Sequence, residues 1–306
     1  YAILLSIAPI GWILVIVSII EFLLSFKLPA IKPASPQGHF EFHDYLNFRY
    51  FKQNMKDIKS DQNIWLSIIG LSIFWAIGQV IIAVFPAHYK MMSGDENAVI
   101  IQAILAASAI GIALGSMVAG RASRLHIELG IVPLGAIGLF VSLLMFTTAT
   151  NPYTMGLSSI LFGFFGGLFA VPLNASIQYF APASKLGTIL AGKNFIQNAT
   201  MILFLAGSIL LIVAGFHSAT IFILSATLLL VGSLYAIKRL PHLFARLLLL
   251  PILKTSYRLR VEGLHHLPPS GGVLLLGNHI SWIDWLVIQV ASPRAVKFVM
   301  AKSIYD

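Results

Sequence analysis

His279 and Asp284, near the C-terminal end of the sequence, have the types and spacing of a catalytic base and its carboxylate partner. A carboxylate that bonds one imidazole nitrogen fixes the tautomer of the ring and stabilises the imidazolium that forms during catalysis. The other ring nitrogen can then remove a proton from an alcohol that attacks a thioester, which accelerates such reactions roughly a hundred- to ten-thousandfold. Ser281 lies between them, but no neighbouring residue marks it as an activated nucleophile.

The segments around this pair predict where it lies in the fold. The apolar run 272–276 predicts a short buried strand, followed by a turn and a new helix. Residues 257–261 alternate as a strand does, and the segment 262–272, which contains prolines and glycines, predicts a turn. Open α/β enzymes keep their chemistry at the carboxyl ends of strands. We therefore expect residues 257–306 to begin an α/β domain with His279 in that position.

The composition of the whole chain excludes a soluble globule. Hydrophobic residues make up 58% and charged residues 10% of the sequence, whereas a soluble domain carries about 25% charged residues. The formal charge is +9, but the basic residues lie between apolar segments rather than on a polar domain. We therefore expect the protein to interact with membrane lipids and not with nucleic acid. There is no cysteine, which excludes disulfides and thiolate nucleophiles, and the scattered histidines indicate no metal site.

Seven segments of about twenty apolar residues predict transmembrane helices. Connections rich in lysine and arginine alternate with connections that have few, as the positive-inside rule requires. Basic residues that we assign to connections include Lys185 and Lys193, and those after residue 238 predict that the C-terminal segment is cytoplasmic. The chain looks cut at both ends, so we expect a fragment. The predicted spans cover residues 2–26, 65–87, 98–120, 129–149, 153–177, 200–216 and 219–237.

One span, a long basic loop and six further spans resemble the centre and C-terminal half of a twelve-helix major facilitator. By this resemblance residues 1–26 correspond to the sixth helix, 27–63 to the cytoplasmic central loop and 64–237 to the C-terminal six helices. Gly111-x3-Gly115 and Gly163-x3-Gly167 predict close packing between helices rather than a binding role.

Amide side chains flank the connection between the fifth and sixth predicted spans. Val171-Pro172-Leu173-Asn174 and the segment Lys193 to Asn198 resemble the corresponding helices of the bacterial lysophospholipid transporter family. The resemblance implies a lysophospholipid substrate. Helix capping and packing bonds are an equally good interpretation of these amides. The candidate residues of the transport path are Asn174, Asn194, Gln197 and Asn198.

Residues 238–256 are predicted to link the membrane domain to the enzyme segment. The stretch 242–254 is apolar but too short to cross a membrane, and it contains Pro251. Two interpretations are open: a helix lying in the headgroup plane, or a buried core helix of the following domain.

Asn278-His279-x-Ser281-x-x-Asp284 after an apolar run strongly resembles the first block of glycerolipid acyltransferases. The resemblance implies an O-acyltransferase with His279 as general base, Asp284 as its partner, and Asn278, Ser281 and Lys302 towards the substrate. The implied acyl donor is a thioester of acyl carrier protein or coenzyme A, and no further cofactor is expected. The Glu-Gly-Thr-Arg block of the family would follow after Asp306.

Together these segments predict an α-helical polytopic membrane protein, a partial major facilitator with about seven transmembrane helices, followed by the start of a cytoplasmic α/β acyltransferase domain. This combination resembles a known bacterial fusion of the inner membrane, which is often followed by an acyl-carrier-protein synthetase. Lysophospholipid would be moved inward and reacylated there. A facilitator half that only anchors the enzyme, or one that carries another small solute, are the alternatives that we keep open. The oligomeric state is not predicted.

Overall fold

The computed structural model describes residues 2–28, 41–124, 127–239, 241–257, 260–268, 271–278, 280–292, 294 and 296–299. Helix α1 (Ala2–Ser25) is followed by two short helices, α2 (Phe42–Leu46) and α3 (Arg49–Ser60). The long helices are α4 (Gln62–Ser93), α5 (Ala98–Ala122), α6 (Ile131–Thr148), α7 (Pro152–Phe180), α8 (Leu186–Val213) and α9 (Ser218–Arg239). Helices α10 (Pro241–Ser256) and α11 (Asp284–Ala291) end the described part, with one 3-10 turn at Leu264–His266 between them.

Helices α4 to α9 are each long and apolar enough to cross a membrane. Helix α1 adds the apolar stretch Gly11–Ser25 in the part whose side chains are described. Asp61 and Asn97 cap α4 and α5 because each side chain accepts hydrogen bonds from the first backbone N–H groups of its helix. The predicted order of spans is therefore confirmed within the described residues.

The start of α8 corrects the sequence analysis. The helix begins at Leu186 and not at residue 200, so Lys193 lies inside a membrane-spanning helix and not in a connection. Hydropathy placed the boundary too late because Lys193, Asn194 and Gln197 lower the average of the first turns. A helix satisfies its own backbone regardless of such side chains, so their polarity does not end it.

The central segment between α1 and α4 is not a plain loop where the structure describes it. Helix α3 lies along the first turns of α8: Ile58 is fully buried, and Asn54 Nδ2 donates to the Thr188 carbonyl at 2.8 Å. Lys185 Nζ is 2.9 Å from Asp57 Oδ1. These contacts hold the amphipathic α3 against the N-terminal end of α8, which is the end nearer to Lys193.

Helices α5 and α7 touch backbone to backbone through their glycines. A Cβ at Gly111 would overlap the carbonyl oxygen of Ile160, and a Cβ at Gly163 would overlap that of Ser108. Gly115 lies equally close to Phe164. The predicted packing role of both glycine motifs is therefore confirmed, since only residues without a Cβ allow this approach.

His88 joins three helices in the core, which the sequence analysis did not predict. Its Nε2 lies 2.9 Å from the carbonyl oxygen of Phe146 on α6, and its Nδ1 lies 2.9 Å from Ser218 Oγ at the start of α9. A carbonyl oxygen only accepts, so Nε2 carries the proton and Nδ1 accepts from the serine hydroxyl when the ring is neutral. The ring also packs edge-on against Phe222. This fully buried histidine is satisfied and structural.

Helix α10 packs between the membrane domain and α11. Arg246 is 6% exposed, and its Nη1 donates to Glu128 Oε2 at 2.8 Å while its Nε donates to the Val290 carbonyl of α11 at 2.7 Å. A Cβ at Gly130, beside Glu128, would overlap the carbonyl oxygen of Leu243, so the α10 backbone lies directly on the turn before α6. One face of α10 is therefore buried against both parts of the chain, while Leu248 is exposed, and the two interpretations of this segment stay predictions.

The predicted strand at 272–276 is not found, because residues 272–278 have no regular secondary structure. Of the predicted strand at 257–261, residues 258 and 259 lie outside the described residues, and residues 257, 260 and 261 have no regular secondary structure. A strand requires a paired neighbour for its backbone N–H and C=O groups, and no described segment pairs with either. The predicted helix after the Asn-His turn is confirmed as α11.

Candidate functional site

The enzyme segment is organised around the start of α11. Asp284 is its first residue, and Asp284 Oδ2 accepts hydrogen bonds from the backbone N–H groups of Ile280 at 2.7 Å and Ser281 at 2.9 Å. In return the Ser281 carbonyl accepts from the Asp284 N–H at 3.0 Å. Residues 280–284 thus form a closed turn that fixes the carboxylate against the backbone.

Two predicted residues, His279 and Lys302, lie outside the described residues. Of the other two predicted substrate residues in this segment, Asn278 is exposed and Ser281 is half-buried. The structure therefore brings the Ser281 backbone to the Asp284 carboxylate. A carboxylate held in this way is fixed in position, as a partner that orients a base must be.

A shallow, largely apolar groove of about 320 Å³ lies between the segments 262–267 and 273–275 and the C-terminal end of α11. Arg294 contacts the chain between these two segments: its guanidinium donates to the carbonyls of Pro268, at 2.8 Å, and Gly271. The sequence analysis did not single out Arg294, since nothing local indicates that it reaches back across the turn. The groove is lined by Glu262, Gly263, His266, Leu267, Val273, Leu275, Ile288, Ala291 and Ser292.

The predicted transport residues, on α7 and α8, divide into two groups. Lys193 Nζ donates to Asn174 Oδ1 on α7 at 2.6 Å, and Gln197 lies one turn further along the same face of α8. Asn194 and Asn198 lie on the neighbouring, exposed stripe, where Asn198 Nδ2 donates to the Asn194 carbonyl at 2.9 Å. The structure thus groups Asn174 and Gln197 with Lys193, which the sequence analysis had not proposed as a site residue, and separates Asn194 and Asn198 from them.

Fold and sites together define a multi-pass membrane protein of the transporter class that continues into an enzyme segment. Residues 2–204 match the family model of the Major Facilitator Superfamily, and residues 258–306 match the model described as Acyltransferase. The chain belongs to the Major Facilitator Superfamily.

Curated relatives match the membrane part. The chain is 27% identical over 183 residues to the lysophospholipid transporter LplT of Pectobacterium carotovorum, which covers 58% of this chain and 43% of the relative. It is 30% identical over 142 residues to LplT of Serratia proteamaculans, with 45% of this chain and 35% of the relative covered. The corresponding protein of Photorhabdus laumondii is 29% identical over 167 residues, 53% of this chain and 41% of the relative. The chain therefore spans less than half the length of these relatives.

Proposed function

We propose that the facilitator segment moves lysophospholipid across the membrane and that the acyltransferase segment reacylates it at the cytoplasmic face. One observation carries the proposal: a segment similar to lysophospholipid transporters continues through α10 into a segment that matches acyltransferases. Joining a carrier to an enzyme makes delivery of its substrate intramolecular, which raises the effective concentration of lipid at the enzyme.

In the proposed reaction, His279 takes the proton of the lysophospholipid hydroxyl as that oxygen attacks the thioester carbonyl. The C–S bond of the resulting tetrahedral intermediate then breaks, and the departing thiolate receives the proton from the imidazolium. Asp284 stabilises the imidazolium, a role supported by the two backbone hydrogen bonds that fix its carboxylate at the start of α11. We assign Asn278, Ser281 and Lys302 to the acceptor side.

The acyl donor in this proposal is a thioester of acyl carrier protein or coenzyme A, which acts as a co-substrate. The membrane is the bacterial inner membrane, with the enzyme segment on its cytoplasmic side. The basic residues of the segments that flank α3 and follow α9 support this orientation, because cytoplasmic connections carry an excess of lysine and arginine.

The test is uptake and acylation of radiolabelled lysophospholipid by the full-length protein and its His279→Ala variant in inverted and right-side-out vesicles. We expect uptake to persist in the variant and acylation to fall by two or more orders of magnitude. If the native protein acylates lysophospholipid but neither protein takes it up, the facilitator segment is an anchor only. Uptake of another solute, with no lysophospholipid movement, would refute the transport half. Acylation that survives in His279→Ala would refute the assigned base.

A further inference from the structure

Lys193 is a positive charge inside a membrane-spanning helix whose recorded partner is neutral. It lies seven residues after the first residue of α8, so about 10 Å along the helix. Its half-buried ammonium donates to Asn174 Oδ1 at 2.6 Å. None of the ion pairs among the described residues includes Lys193. A cation in such a position is costly unless it is paired or lines a path for substrate.

Lys185, which lies eight positions before Lys193 and directly precedes α8, has a different kind of partner. Its ammonium is neutralised by Asp57 of α3 at 2.9 Å. The chain thus supplies a carboxylate to the lysine near the helix end but an amide to the lysine deeper in the membrane. An amide oxygen orients an ammonium without cancelling its charge, so the charge of Lys193 remains to attract an anion.

Asn174 is itself fixed in the orientation that this requires. Its Nδ2 donates to the Ala170 carbonyl one turn back, at 2.9 Å, which turns Oδ1 towards Lys193. An ammonium has three donors, and the bond to Asn174 uses one of them. The remaining two can reach the non-bridging oxygens of a phosphate.

Gln197 provides an independent indication of a ligand. It lies four residues after Lys193 on the same face of α8, and it is 8% exposed. Its Nε2 is buried and has no hydrogen-bond partner among the residues that the structure describes. Leaving a buried donor without a partner costs about 1–3 kcal/mol, and such groups in native proteins call for an explanation such as a bound ligand.

We propose that Lys193 and Gln197 bind the phosphate of the lysophospholipid headgroup during transport, with Asn174 as the residue that positions Lys193. A phosphodiester carries one negative charge, so its pairing with Lys193 neutralises both charges and lowers the cost of moving the phosphate through the membrane. This inference rests on the proposed function and names the residues that recognise its substrate.

The experiment compares uptake of lysophosphatidylethanolamine by the full-length protein and its Lys193→Met, Lys193→Arg and Gln197→Leu variants in proteoliposomes. Methionine keeps the length and volume of the lysine stem and removes the charge. We expect the KM of Lys193→Met to rise at least tenfold, the size of a lost hydrogen bond to a charged group. Lys193→Arg should stay within about threefold of the native KM, and Gln197→Leu should raise it severalfold. Lys52→Met, an exposed lysine of α3, is the matched control and should leave KM unchanged.

Monoacylglycerol, which has the same acyl chain but no phosphate, tests the recognised group. Its movement should be equal in the native protein and in Lys193→Met. An unchanged KM for lysophospholipid in both Lys193→Met and Gln197→Leu would overturn the site while leaving the proposed transport intact. Transport of inorganic phosphate or glycerophosphoethanolamine that depends on Lys193, without lysophospholipid uptake, would overturn the lipid assignment and the proposed function together. Gln197→Leu and Lys193→Arg keep the test valid if Lys193→Met does not fold.

Discussion

Substitution of Arg246 should loosen the junction between the facilitator and acyltransferase segments. Arg246 and Glu128 are 6% and 5% exposed, and their charged groups are 2.8 Å apart, so both charges are shielded from water. Replacing one partner of a buried pair removes the charge that offsets the burial of the other, which costs up to about 3–5 kcal/mol. Arg246→Met also removes the bond to the Val290 carbonyl. We expect α10 and α11 to open more readily by a free energy of this size.

Hydrogen exchange measured by mass spectrometry on peptides of α10 and α11 reports this opening, because a chain of two parts does not unfold as one unit. The double variant Arg246→Met/Glu128→Gln should recover a large part of the loss, since neither charge is then buried alone. Lys185→Met is the matched control. Its pair with Asp57 has side chains that are 48% and 16% exposed, and an ion pair at the surface is worth about 0–1 kcal/mol.

Two results would refute this reasoning about the junction. The first is unchanged exchange of α10 and α11 in Arg246→Met. The second is a double variant that is destabilised by the sum of the two single variants, because additivity would show that Arg246 and Glu128 do not interact.

Three further predictions concern packing and pH. Gly111→Ala should destabilise the α5–α7 contact by about 1–3 kcal/mol because its Cβ overlaps a backbone oxygen, whereas Gly120→Ala, with open space around its Cβ, should be neutral in thermal unfolding in detergent. His88→Ala should lower the free energy of unfolding by about 3 kcal/mol, since it leaves a cavity and two unpaired polar groups; a change under about 0.5 kcal/mol would contradict the assigned bonds. Burial lowers the pKa of His242 below its ordinary value of about 6.5, so the unfolded chain binds its proton more readily. Stability should therefore fall as pH drops below about 6.5 and level off below the folded pKa, and His242→Asn should remove this part of the pH dependence; a native-like pH profile in that variant would contradict it.

Sequence patterns predicted the membrane helices well because the signal for a span is local. Twenty consecutive apolar residues identify a helix whatever lies around it, and the glycine pairs of α5 and α7 identify their shared face. The start of α8 was the exception. There a short polar stretch belongs to the helix, and Lys193 in it is hydrogen-bonded to Asn174 of the neighbouring helix α7. An average of hydropathy over consecutive residues cannot detect such a contact between two helices.

Sequence patterns predicted the catalytic motif of the enzyme segment but not the contacts that hold this segment in place. Asp284 stands five residues after His279, so the spacing alone suggested the pair. The two backbone N–H groups that hold its carboxylate belong to Ile280 and Ser281, four and three positions earlier; they precede α11, so the rules of helix capping do not predict them. Arg294, in contrast, reaches carbonyls more than twenty positions earlier, and its role depends on how the turn folds back.

Glu128 and Arg246 show what a sequence could have indicated and did not. Each is a charge beside or within an apolar segment. Arg124 lies four residues before Glu128, but no acidic residue lies within four positions of Arg246. A burial cost of several kcal/mol for an unpaired ion means that such residues must either reach water or find each other. Arg246 follows Leu243 by one helical turn in an otherwise apolar helix, where a long side chain reaching the headgroups is the ordinary expectation. In the structure Arg246 instead pairs with Glu128, because Gly130 allows α10 to approach closely enough for the two charges to meet. Both the ion pair and the junction of the two segments therefore depend on the absence of a Cβ at Gly130. A Gly130→Ala variant should for that reason show the same faster exchange in α10 and α11 as Arg246→Met, although it removes no charge.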